Sequence, residues 1–229
     1  MTKIYDFLKS LVNNNKHLFF LKMKFYHLKN KYRKQIIGKN NLIINDGVLL
    51  NVRYDIIGNN NRIEIMSKSL LSNLTIYMRG DNHKLKIDEE CIVKGGEIWF
   101  EDSFCEINIG KKTTIESAHF AVTEIQSSIF VGEDCMFSNE IELRTGDSHA
   151  IIDLIKNVKI NKAQNIIVGN HVWIGSGAKI LKGVCVGNNS IIGTGSIVTK
   201  NIPNNSIAAG VPSKIVKTDI TWERDRFYN

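Results

Sequence analysis

The chain has 229 residues, 43% of them hydrophobic and only two of them proline, which is enough apolar material for a real core and shows no sign of a disordered tail. No run of 18 apolar residues occurs, so no spanning helix is expected, and the basic N-terminus lacks the apolar stretch and small-residue cleavage site of a signal peptide. The formal charge of +7 is confined: residues 1–34 carry nine Lys/Arg against Asp6 alone, and the remainder is close to neutral, so nucleic-acid binding by the folded body is not expected.

Residues 1–35 mix Phe, Tyr, Leu, Met and Lys without Gly or Pro, and Ile4, Phe7, Leu8 and Leu11 recur at helical spacing. The segment reads as basic and helical, broken near Asn13–Asn15. It suits a cap over the open end of the next domain, and it suits peripheral contact with an anionic membrane surface; the two are compatible. His17 and His27 fall in it and carry no signal of their own.

From residue 36 the chain repeats. GNNNRIEI begins at Gly58, GDNHKLKI at Gly80, DSFCEINI at Asp102, EIQSSIFV at Glu124 and GDSHAIID at Gly146, each 22 residues after the last. Fixed-period self-similarity in short, turn-punctuated, β-rich units predicts a solenoid with one coil per repeat. From residue 168 to 198, Val or Ile stands at every sixth position, giving coils of 18 residues. Three short strands per coil make a triangular prism, with one aliphatic residue per side pointing inward and stacking on its equivalent about 4.8 Å away. Small residues such as Ala178, Ser190 and Ser196 fit the corners, and Gly169, Gly175, Gly187 and Gly193 follow the inward residues where turns ask for permissive backbone. The expected domains are 1–35, a β-helix over 36–217 with an inserted loop at 153–165, and a tail at 218–229. The four cysteines, Cys91, Cys105, Cys135 and Cys185, show no C-x-x-C pairing and read as buried thiols in a reducing cytoplasm.

Among six histidines, His149 is distinguished by position. It sits in GDSHAIID, just before a polar interruption of the repeat, DLIKNVKINKAQN at 153–165, which is placed to wall a cleft. Its imidazole titrates near working pH, as a general base must. Asp147, two residues back, is placed to fix the ring tautomer, with Arg144 as a competing partner for that acid. His83 is the repeat-mate of His149 and reads as a corner residue. Trp173 immediately precedes the inward Ile174, so it projects outward.

These segments resemble a known family. The [V/I]-G-x-x-[S/A/V]-x hexads are similar to those of hexapeptide-repeat acyltransferases. RTGDSHAI at 144–151, NHVWIGSGAKIL at 170–181, GTGSIVTKNIP at 193–203 and AAGVPSKIVK at 208–217 resemble motifs of bacterial capsule and surface-polysaccharide O-acetyltransferases, including the enzymes that O-acetylate sialic acid and polysialic acid. The resemblance is specific across about 130–217, loose across 36–129 and absent from 1–35. It implies an all-β, left-handed parallel β-helix, the hand coming from the resemblance alone. It further implies a cytoplasmic homotrimer with active sites between subunits that moves acetyl from acetyl-CoA to a sugar hydroxyl of a surface polysaccharide or its precursor.

On that resemblance His149 is the base and Trp173 lines the acceptor–thioester site. Ser176, Thr194, Thr199 and Lys200 line the coenzyme A groove, and Lys214 and Lys217 face its phosphates, as point charges where relatives have Arg. Arg144, His119 and His171 are candidate acceptor contacts. Amides near Gly175–Ser176 are candidates for the oxyanion. Alternative readings are a nucleotide-sugar N-acetyltransferase, a small-sugar acetyltransferase and a non-enzymatic glycan-binding scaffold. A three-histidine zinc site of the γ-carbonic anhydrase kind is disfavoured: His83 and His119 are 36 apart, two ideal coils, but the local period of 22 keeps them off one edge. No metal is expected.

Overall fold

The structure, a computed structural model, describes residues 34–226 and 228. These residues form a three-sided parallel β-helix, with no α-helix among them. The chain visits side A, side B and side C in turn, and each strand pairs with the strand one coil earlier and one coil later. Side A has eight strands, from Lys34–Ile37 to Ile197–Val198, and side B has seven, from Leu42–Asn45 to Cys185–Val186. Side C runs in parallel from Val48–Leu50 to Ile207–Gly210 and is closed by the antiparallel strand Ser213–Lys217.

The expected periods are the coil lengths. Ile63, Leu85, Ile107 and Ile129 are successive register partners on side B, 22 apart. Trp173 pairs with Ile191 and Lys179 with Ile197, 18 apart. Inward side chains such as Ile65, Ile87, Phe100, Ile107 and Phe137 form one continuous core along the axis. Burial of these columns is the main stabilising term. Neither propensity nor a single strand pair would hold two-residue strands such as Thr114–Ile115.

The corners explain the polar letters of the repeat. Asn61, His83, Cys105 and Ser127, the fourth residues of four successive repeats, are all buried. Each of the first two receives a backbone amide from the next coil: His83 N–H donates to Asn61 Oδ1 at 2.9 Å, and Cys105 N–H to His83 Nδ1 at 3.3 Å. Buried amides that no neighbouring strand can reach are thereby paired. His83, wholly buried, is the corner residue expected of it.

Three expectations need correction. Strand pairing begins at Lys34, inside the segment assigned to 1–35; the rest of that segment, with its helical and membrane-surface readings, lies outside the described residues. Gly169, Gly175, Gly187 and Gly193 do not have positive φ; a Cβ on Gly175 would lie 2.7 Å from the Thr194 amide nitrogen and one on Gly187 2.4 Å from that of Asn204, so these positions are Gly because adjacent coils approach closely. The left-handed conformations are carried instead by Gly177, Gly183 and Gly195, by asparagines such as Asn60, Asn82 and Asn189, and by Lys68, Glu90, Lys112, Asp134 and His171. Finally, Cys91, Cys105 and Cys135 are buried as expected, but Cys185 is exposed on the outer face of side B.

Candidate active site

The fifth repeat, GDSHAIID, breaks the pattern. The chain keeps register through Thr145, whose amide donates to the Ala121 carbonyl at 3.0 Å, and rejoins side B only at Ile166. The excursion is therefore 146–165, longer than the 153–165 read from sequence, and His149 lies within it. Its mates Asn61, His83, Cys105 and Ser127 fill the corner between sides A and B; His149 is pushed out of that column and exposed. Asn165, exposed and one position before the Ile129–Ile166 register pair, accepts the Ser128 amide at 2.9 Å as the chain returns to side B.

The excursion is a small hairpin, Ile152–Asp153 against Val158–Lys159, closed by Asp153, whose carboxylate accepts the amides of Ile155 and Lys156. Its base is held by Asn161, which is buried. Asn161 Nδ2 donates to Asp147 Oδ2 at 2.7 Å and to the His149 carbonyl at 2.8 Å, while its Oδ1 accepts the Ile151 amide at 2.7 Å. Lys182, one coil further along the same corner, pairs with Asp147 and also donates to the Asn161 carbonyl. One coil back, Lys159 pairs with Glu124 at 2.7 Å. The excursion is thus anchored to the coils on both sides of it. The Lys182 ammonium, with Asn161, holds the Asp147 carboxyl below its ordinary range, and Lys159 does the same for Glu124.

Asp147 therefore does not fix the His149 tautomer. Its Oδ2 accepts from both Lys182 and Asn161, and no hydrogen bond joins it to the His149 ring. Nor is Arg144 its partner: Arg144 pairs with Glu142 at 3.3 Å. His149 is exposed, and no hydrogen bond of its ring is found among the described residues. The hairpin turns apolar groups outward as well: Leu154 and Ile155 are 95% and 96% exposed.

Trp173 projects outward, as expected, and is 38% exposed, but from side C. In a triangular section the A/B corner lies opposite side C. One chain does not bring His149 and Trp173 together. His171, at the B/C corner, is engaged on every side: Nδ1 lies 2.8 Å from Asp134 Oδ2, Nε2–H donates to the Trp222 carbonyl at 2.8 Å, and the ring stacks on Trp222 at 4.2 Å. It is a docking residue for the C-terminal segment, and an acceptor contact through its nitrogens is closed to it.

The coenzyme candidates separate too. Ser176 and Thr194 follow side C strands at the C/A corner, with Lys214 near the same corner on the last strand. Thr199 and Lys200 follow side A, at the A/B corner; Lys217 stands at the opposite end of its strand, paired with Ile207. Lys200, Lys214 and Lys217 are exposed. The Gly175 amide is not open to an oxyanion, because it donates to the Ile192 carbonyl at 2.7 Å.

His119 projects from side A into an open groove of about 360 Å³ bordered by Glu97, Glu140 and Glu142. Burial pushes its pKa down, opposed by Glu97. Its strand neighbours Ile141–Arg144, the strand that leads into the excursion, with Glu142 as its register partner.

Sequence reasoning missed Asn161, Lys182, Trp222 and Arg224. Asn161 carries no local motif. Lys182 is visible only as a cation placed one coil beyond Asp147.

Comparison with known proteins now adds to this geometry. Residues 165–200 match the family model "Bacterial transferase hexapeptide (six repeats)". The chain is 34% identical over 175 residues to a polysialic acid O-acetyltransferase of Neisseria meningitidis, covering 76% of this chain and 80% of that protein. It is 41% identical over 140 residues to a polysialic acid O-acetyltransferase of Escherichia coli O1:K1 / APEC, covering 61% of this chain but spanning only 45% of that relative's length. The solved structure of the polysialic acid O-acetyltransferase OatWY superposes with a TM-score of 0.82 at 33% identity, covering 87% of this chain and 94% of that one.

Proposed function

Since the chain belongs to the hexapeptide-repeat O-acetyltransferases, we propose that it carries acetyl from acetyl-CoA to a hydroxyl of an acidic surface polysaccharide of the polysialic acid kind, with His149 as the base. The observation that carries this is the expulsion of His149 from a column of buried corner residues onto an anchored excursion.

The chemistry is a single displacement. His149 removes the proton of the sugar hydroxyl as its oxygen attacks the thioester carbonyl. The tetrahedral intermediate collapses, the C–S bond breaks, and the coenzyme A thiolate takes up the proton from His149. An acetyl-cysteine intermediate is disfavoured. Burial pushes the Cys91 thiol up to about 12 and that of Cys135 to about 11, and Cys185 lies on side B with no base beside it in the sequence.

A second copy completes the site in this reading. His149 at the A/B corner of one copy meets the C/A corner of the next, where Ser176, Thr194 and Lys214 receive coenzyme A and Trp173 offers an apolar wall to the sugar. The bare Leu154 and Ile155 supply an apolar contact between copies, consistent with a closed trimer. Arg144 and Lys200, on the His149 corner, are suited to an anionic sugar. A cytoplasmic setting suits the four free thiols. Among the described residues no helix is long and apolar enough to cross a membrane. Residues 1–34 remain a candidate for peripheral contact.

The test is His149→Ala, assayed with acetyl-CoA and polysialic acid. Transfer is abolished while the trimer and its melting temperature are kept. Wild-type turnover in this variant would remove His149 as the base.

A further inference from the structure

The segment after the last strand does not trail away from the prism. Ile220 and Asn205 hold each other through two hydrogen bonds of 3.1 Å, Ile220 N–H to the Asn205 carbonyl and Asn205 Nδ2 to the Ile220 carbonyl. Two residues on, Trp222 is only 5% exposed although it lies outside the core. Its ring covers His171 at 4.2 Å and an interplanar angle of 7°, and its indole N–H donates to the His171 carbonyl at 2.8 Å, while His171 Nε2–H donates to the Trp222 carbonyl. Arg224 then fastens the end: its guanidinium donates to Asp134 Oδ1, Thr114 Oγ1 and the Cys135 carbonyl, each at 2.9 Å. Burial pushes the Asp134 carboxyl up, and the bonds from His171 and Arg224 outweigh it and leave that carboxyl below its ordinary value.

The strap's remaining neighbour is Trp173. The two indoles lie 6.1 Å apart at 51°. On a side of the prism made of two-residue strands, an outward indole has little of its own strand to lean on. Its register partners are Met136 and Ile191, both flexible or small beside an indole. The rigid group next to it is Trp222, itself fixed at both its ring and its backbone. Ordering an aromatic wall before the sugar arrives saves the rotamer entropy that would otherwise oppose binding.

We propose that residues 219–226 form a positioning strap, in which Trp222, clamped on His171, holds Trp173 in the orientation that receives the apolar face of the acceptor sugar. This rests on the reading of Trp173 as part of the acceptor wall, and Trp222 acts through Trp173 rather than on the reacting atoms.

The experiment compares Trp222→Ala, Trp222→Phe, Trp173→Ala, the Trp173→Ala/Trp222→Ala double variant and a chain ending at Thr218. KM and kcat are measured separately for polysialic acid and acetyl-CoA, with thermal melting alongside. Trp222→Ala and the shortened chain are expected to raise the acceptor KM about tenfold while leaving kcat and the acetyl-CoA KM in place. Trp222→Phe recovers most of the loss, and in the double variant Trp222→Ala adds nothing to Trp173→Ala. An unchanged acceptor KM in Trp222→Ala, with Trp173→Ala impaired, overturns the strap and leaves the wall standing; so do losses that multiply in the double variant. A silent Trp173→Ala removes the wall, and the strap's role with it. Should the shortened chain misfold, the Ala and Phe variants at position 222 decide alone.

Discussion

Replacing Asn161 by Ala isolates what the excursion owes to one side chain. The substitution removes three hydrogen bonds at once: to Asp147, to the His149 carbonyl and from the Ile151 amide. At about 1 kcal/mol net each, the docked excursion loses ~3 kcal/mol, or about a hundredfold in the ratio of docked to released forms. The prism is indifferent, because the side-chain hydrogen bonds of Asn161 stay within the excursion and the chain on either side keeps its register through Thr145 and from Ile166. The melting temperature should therefore stay within a degree or two, while kcat with acetyl-CoA and polysialic acid falls about 10- to 100-fold as His149 loses its fixed approach. Amide exchange at Ile151, read by NMR or mass spectrometry, reports the docking directly. If exchange accelerates but kcat does not move, an ordered excursion is irrelevant to the base. If exchange is unchanged, Asn161 does not hold the excursion at all.

Other predictions follow the same logic. Gly80→Ala would put a Cβ 1.5 Å from the Asp102 carbonyl oxygen at a φ of +116°, so it should destabilise the prism by about 3 kcal/mol or more in thermal unfolding; an unaltered melt would mean that the coils are not packed as described. The Asp147 carboxyl is depressed in the folded state, so its pairing with Lys182 stabilises docking above the ordinary carboxyl range and is lost as pH falls through the lower, folded value. Exchange protection of residues 151–160 should accordingly persist from pH 7 to pH 5 and weaken progressively only below about pH 4; a loss already complete at pH 5 contradicts the anchor. Removing residues 1–33 should leave acetyl transfer intact and weaken binding to vesicles containing anionic lipid, as read by co-sedimentation, because the excess positive charge resides there. Equal binding by the shortened chain removes the membrane reading.

The fold was legible because a solenoid writes its geometry as a period. Ile63, Leu85, Ile107 and Ile129 are equally spaced in sequence because they are stacked in space. The corner letters were legible as repeats but not as roles: Asn61, His83, Cys105, Ser127 and His149 look equivalent until the chain leaves the prism after Thr145. What decides between a buried corner and an exposed side chain is whether the next strand follows at once: after Ser127 it does, whereas after His149 side B resumes only at Ile166. The partners of Asp147 and His171 were hidden for a different reason. Lys182 lies 35 residues from Asp147 and Trp222 lies 51 from His171, and neither separation is a multiple of the local period. Left-handed corners at Lys68, Glu90 and Lys112 were unreadable because stacking between coils, rather than Gly or Asn propensity, imposes them.

The separation of His149 from Trp173 has one decisive consequence. A single chain places His149 at the A/B corner and the Trp173 indole on the opposite side, so a site containing both takes one from each of two copies. His149→Ala and Trp173→Ala should then complement. Each variant alone assembles and is impaired, the first inactive and the second strongly reduced. In trimers formed from equal amounts of the two, a site is intact when the copy giving the imidazole carries the Trp173 substitution and its neighbour carries the His149 substitution. Random assembly makes about a quarter of the sites intact in this way, so mixed trimers should recover about a quarter of wild-type turnover above the residual activity. Sites built within one chain would contain no intact pair at any mixing ratio, and activity would only average the two variants. Mixing after folding, with exchange of subunits blocked, serves as the control. Recovery that appears only when the chains are refolded or expressed together supports a shared site, whereas simple averaging under those conditions means that His149 and Trp173 never act in the same one.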